Sequence, residues 1–139
     1  MNSGIFKTSE LLSKNSNGQD LLNQVVGDKQ IIALDGDDLQ RVLACGNVVT
    51  ISEGLGDTVK DALDTGLQSV QSQNINFKEI KGALVTITIR DKEIDTMEAM
   101  DTISSFFDRF SDEATLLWGL SIDSRLSQMY RLVLWFVKN

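Results

Sequence analysis

Residues Ala83-Leu84-Val85-Thr86-Ile87-Thr88-Ile89 leave the backbone few choices. All but Ala83 and Leu84 are β-branched, and side chains stiff at χ1 favour an extended chain. Alternation places Ala83, Val85, Ile87 and Ile89 on one face and Leu84, Thr86 and Thr88 on the other. A strand with one oily face and one mixed face calls for helices on the first. The segments around it supply them, which predicts helices packed on one side of a sheet with this strand in its middle.

Before that strand, residues 1–17 are polar apart from Ile5, Phe6, Leu11 and Leu12, and read as a loosely held N-terminal arm. The pairs Leu21/Leu22 and Val25/Val26 form a helical stripe over 19–26, with Gly27 as its stop. Ile31-Ile32-Ala33-Leu34 runs into the acidic turn Asp35-Gly36-Asp37-Asp38. Asp37 or Asp38 is placed to cap a helix carrying Leu39, Val42 and Leu43, ended by Gly46. Asn47–Ser52 reads as a first strand, broken by Gly54 and Gly56. Asp57 opens a helix whose stripe is Val59, Ala62, Leu63, Leu67 and Val70.

After the strand, Asp95-Thr96-Met97-Glu98 has the form of a capping box. The helix behind it is predicted to bury Met97, Met100, Ile103, Phe107 and Phe110. Ala114–Leu120 and Tyr130–Val137 read as two further strands joined by a turn-rich link. The order β-α-β-α-β-β gives an α/β (α+β) two-layer domain over 18–139. On the last strand Leu132, Leu134 and Phe136 share one face and Val133, Trp135 and Val137 the other. Both are apolar, so the face away from the two helices needs cover. Either the 19–27 helix or the arm folds over it, or it is an association surface with Trp135 as anchor.

Composition narrows the chemistry. The 139 residues include no histidine, which excludes imidazole acid/base catalysis, Ser-His triads and His-ligated metals. Ser121 beside Asp123 has no base partner, and lone Cys45 reads as a small buried residue in a reducing compartment. The net charge of −7 with scattered basic residues argues against nucleic acid or an anionic membrane as partner. The longest apolar run, Leu132–Val137, is too short to span a bilayer, and no signal-peptide core precedes it. A cytoplasmic protein without cofactor is expected. Asp35, Asp37 and Asp38 lack the offsets of a calcium loop, so no metal site is assigned.

Four runs keep a common order: Ile31-Ile32-Ala33-Leu34-Asp35-Gly36-Asp37-Asp38-Leu39, Gly82-Ala83-Leu84-Val85-Thr86-Ile87-Thr88, Gly119-Leu120-Ser121-Ile122-Asp123 and Arg131-Leu132-Val133. From about Gly18 to Val137 they resemble the C-terminal domain of FtsZ, the bacterial tubulin homologue of cell division. Its corresponding runs are Leu-Ile-Asn-(Leu/Val)-Asp-Phe-Ala-Asp-Val, Gly-Val-Leu-Val-Asn-Ile-Thr, Gly-Thr-Ser-Leu-Asp and Arg-Val-Thr. The resemblance implies a four-stranded mixed sheet with two main helices on one face.

It also implies a role for the acidic loop, which in FtsZ reaches the GTP of the neighbouring subunit and helps position the attacking water. Asp35 and Asp38 fall on the family's two acidic positions. Ala33 replaces its Asn, while Gly36 and Asp37 replace Phe-Ala. No Gly-Gly-Gly-Thr-Gly phosphate loop occurs, and the sequence stops just past the last strand, before the tail that recruits division partners in FtsZ. The expectation is therefore a non-enzymatic interaction module that binds or caps an FtsZ-type polymer, or associates with itself. The alternative is a homo-oligomeric scaffold unrelated to division. A small enzyme with a cleft between subunits is a third, opposed by the missing histidine.

Overall fold

The computed structural model describes residues 4–14, 17–26, 34–91 and 96–139. The β-branched run forms β3 (Gly82–Ile89), buried along its whole length. It lies in a five-stranded sheet with β1 (Gly4–Lys7), β2 (Val48–Gly56), β4 (Thr115–Ile122) and β5 (Tyr130–Lys138), in the order β1-β2-β5-β3-β4. Only β3 and β4 run parallel; the other pairs are antiparallel. A parallel pair needs a crossover, and α5 (Met97–Phe107) provides it. The middle of the sheet is β5 rather than β3. With apolar residues on both faces, β5 is the strand suited to burial from both sides.

From β2 onward the order β-α-β-α-β-β is the expected one, and α4 (Val59–Gln68) and α5 pack on one face. Ala83, Val85, Ile87 and Ile89 meet Leu132, Leu134 and Phe136 there, as the alternation predicts. Phe77, Phe106, Phe110 and Phe136 interlock, with ring centroids 5.2–6.1 Å apart. The other face is covered as well. Leu11 of α1 (Thr8–Lys14), Leu21, Leu22 and Val25 of α2 (Gly18–Val26), and Leu39, Val42 and Leu43 of α3 (Gly36–Leu43) close over Val49, Ile51, Leu84 and Val133.

Several local expectations change. The fifth strand comes from the arm: β1 pairs Phe6 with Val49, and Thr8 donates from Oγ1 to the Gly46 carbonyl at 2.8 Å. The arm is thus hydrogen-bonded into the sheet. Gly54 and Gly56 do not break β2; they let α4 lie on it, since a Cβ at Gly54 would sit 1.9 Å from the Ala62 carbonyl oxygen. Thr58, not Asp57, caps α4, accepting from the Asp61 amide at 3.0 Å. Helix α5 buries Ile103 as expected, with Phe110 buried just past its end, but the rest of its inward face differs from the prediction. Ala99, Ile103 and Phe106 are buried, while Met97 and Met100 are 68% and 49% exposed. The Gly27 stop, Ile31–Ala33 and the Asp95 cap lie outside the described residues.

Candidate functional site

The acidic turn begins α3, and its shape follows from a meeting of two helix starts. A Cβ on Gly18 would fall 2.0 Å from the Gly36 carbonyl oxygen, and one on Gly36 would fall 2.1 Å from the Gln19 nitrogen. The first turns of α2 and α3 therefore touch backbone to backbone. Gln19 Oε1 accepts from the Gly36 amide at 3.0 Å, satisfying one of the unpaired donors at the start of α3. Gly36, which departs from the family's Phe, is the residue that permits this approach.

Asp35, not Asp37 or Asp38, is the N-cap. Its Oδ1 accepts from the Asp38 amide at 3.1 Å, and Asp38 Oδ2 accepts from the Asp35 amide at 3.0 Å. This reciprocal capping box uses Asp at a position usually held by Glu or Gln. Asp38 Oδ1 also accepts from Arg41 Nη2 at 3.3 Å. Both oxygens of Asp38 are thus engaged, and its side chain is half-buried. Asp35 and Asp37 are exposed. They sit at the helix starts, where the dipoles of α2 and α3 favour negative charge. Exposed Asp35 and Asp37 give the turn an anionic surface, with Asn17 and Gln19 lining the same shallow hollow.

The structure brings Asp35, Asp37 and Asp38 together but removes the second predicted surface. Val133, Trp135 and Val137 are 2%, 0% and 0% exposed, inside the core made by α1, α2 and α3. That side of the sheet is covered within the chain, and Trp135 anchors the interior. Ser121 is buried and shares a 2.9 Å hydrogen bond with Thr88 Oγ1. Cys45 is half-buried, with Sγ 3.4 Å from the Arg41 carbonyl. Among the described residues, no three His, Cys, Asp or Glu side chains converge to hold a metal ion, and no helix is long and apolar enough to cross a membrane.

Sequence reasoning overlooked Gln19 and Gly18, which shape the turn from α2. The pair of glycines flanking separate helices was the available signal, but only the tertiary structure shows that they meet.

No protein-family model matches the chain. It is 28% identical over 115 residues to cell division protein FtsZ 1 of Thermococcus kodakarensis, covering 81% of this chain and 30% of that protein. Against the cell division protein FtsZ of Haloferax mediterranei the identity is 25% over 132 residues, or 93% of this chain and 34% of that one. The fold matches an FtsZ dimer from M. jannaschii with a TM-score of 0.66 and 24% identity, over 84% of this chain and 36% of that chain. The chain thus spans about a third of the length of these relatives. Its homologues are FtsZ proteins, and its fold is that of an FtsZ-type C-terminal domain.

Proposed function

We propose that the chain is a non-enzymatic FtsZ-like interaction module acting in cell division. It presents the first turn of α3 to the nucleotide-bearing end of an FtsZ-type protomer and so caps or modulates its polymer. The observation that carries this reading is the exposed acidic turn, held rigid by the capping box and by Gly36 against Gly18. An FtsZ loop at this position reaches the nucleotide of the next subunit, and the acidic residues there fall on Asp35 and Asp38. A carboxylate near a γ-phosphate orients water when metal and phosphate are held for it. Here Asp38 is spent on the helix start and on Arg41, which favours docking over hydrolysis. The homo-oligomeric alternative built on Trp135 loses its anchor to the core.

The test is sedimentation of an FtsZ-type protein with GTP, with and without this chain. The chain alone hydrolyses no GTP, and it changes the pelleted fraction in proportion to its ratio. The variant Asp35→Asn with Asp37→Asn keeps a good N-cap, because Asn caps as well as Asp, yet loses two charges and most of the effect. An unchanged pellet at every ratio ends this reading.

A further inference from the structure

Strand β4 ends the sheet, with β3 on one side and, among the described residues, no strand on the other. The Thr115 amide donates to the Lys81 carbonyl at 3.0 Å, and the Asp123 amide to the Ile89 carbonyl at 2.9 Å. In a parallel pair the N–H and C=O of one residue point to the same side, and the side alternates along the strand. The odd-numbered residues from Thr115 to Asp123 therefore serve β3. Leu116, Trp118, Leu120 and Ile122 turn their donors and acceptors to the open edge.

These four stand level with Ala83, Val85, Ile87 and Ile89, so their side chains lie on the α5 face. Trp118 lines a hollow there with Met100, Ile103 and Phe107. Ile122 is 39% exposed, and Met97 and Met100 of α5, in the layer on that face, are 68% and 49% exposed. Exposed edges in monomers are usually guarded by charge, proline, a bulge or brevity. β4 has none of these: its eight residues are uncharged and its register with β3 is unbroken. β1, the opposite edge, is four residues long and carries Lys7.

We propose that β4 pairs antiparallel with β4 of a second copy of this chain, joining two sheets into one across a two-fold axis. One register uses all four open residues, with Leu116 opposite Ile122 of the second copy and Trp118 opposite Leu120. Beyond the strand ends, in the flanking turns, exposed Glu113 of one copy comes to the same end of the joint as exposed Arg125 of the other, which its own Asp123 holds at 3.1 Å. Moving it so that Trp118 meets its own counterpart leaves fewer paired groups. An uncharged strand is also where a chain of net charge −7 meets itself with least repulsion. The pairing extends the apolar layer of β4 and α5 across the joint, covering Met97, Met100 and Ile122. It involves neither α3 nor an FtsZ-type partner, so it stands apart from the function proposed above.

Sedimentation equilibrium of the purified chain, across a wide concentration range, tests this. The expected species is twice 15.4 kDa, dissociating on dilution. Ile122→Lys sets an unpaired charge into the joint and raises the dissociation constant about tenfold or more, with thermal unfolding showing that the fold is kept. Glu113→Arg weakens the dimer, and adding Arg125→Glu recovers it. The exposed charge pair decides the matter even if Ile122→Lys fails to fold. A monomer at every concentration, or a dimer indifferent to these changes, overturns the proposal.

Discussion

Replacing Gly36 by alanine is expected to destabilise the chain, against the usual direction. Alanine for glycine in a helix ordinarily adds up to about 1 kcal/mol. Here the new methyl would stand 2.1 Å from the Gln19 nitrogen and 2.5 Å from its Cα. Both are backbone atoms, which cannot swing aside, so α2 and α3 must separate by more than an ångström to restore ordinary contact. Such overpacking costs about 1–3 kcal/mol, and the separation also stretches the bond from the Gly36 amide to Gln19 Oε1. After the helix-propensity gain the net loss is about 1–2 kcal/mol, or a fall in Tm of about 3–10 °C for a chain of this size. Differential scanning calorimetry measures it. The control is Gly66→Ala in α4, whose methyl would press on the end of a leucine side chain, Leu134 Cδ1, at 3.0 Å and meet the Gly54 backbone nitrogen at an ordinary 3.5 Å. Equal rises in Tm for both variants would refute the backbone contact between the two helix starts.

Trp135→Ala should cost about 3–5 kcal/mol in urea unfolding, since the side chain is fully buried; a stable variant would contradict its place in the core. Gly54→Ala should be worse than Gly36→Ala, because the methyl would stand 1.9 Å from the Ala62 carbonyl oxygen and lift α4 from the sheet; circular dichroism melts rank the two. Asp35→Ala should lose about 1 kcal/mol through the cap, while Asp35→Asn stays near the parent, a comparison that denaturant titration resolves. Arg131→Met removes the donor that reaches the Val25 carbonyl at 2.9 Å and the partner of Glu53 at 2.7 Å. Amide exchange should then quicken in α2 more than in α4.

The covering of both sheet faces limits where this chain can meet a partner. The helices α1–α3 occupy the side on which Trp135 lies, so association through that side would require opening a core of Leu21, Leu22, Leu39, Val42 and Leu43. Exposing so much apolar surface would cancel a large share of the few kcal/mol by which a domain is stable. Among the described residues, the acidic turn at Asp35 and Asp37 and the edge of β4 lie outside that core, and they are the two contact surfaces proposed for this chain.

Alternation of side chains determined much of this protein before any tertiary contact was known. It assigned Val85 and Ile87 to one core, Leu84 to the other, and split β5 into Leu132, Leu134 and Phe136 against Val133, Trp135 and Val137. Period-two patterning is local, so sequence carries it in full. The motif order likewise pointed to the FtsZ fold and to the acidic turn. Three features were decided only by contacts between distant segments. The arm became a strand because β2 had a free edge to pair with, and Gly36 is required because α2 starts beside it. Trp135 went inside because α2 and α3 reach over it. A sequence states which side chains share a face, but what lies against that face depends on how remote elements pack.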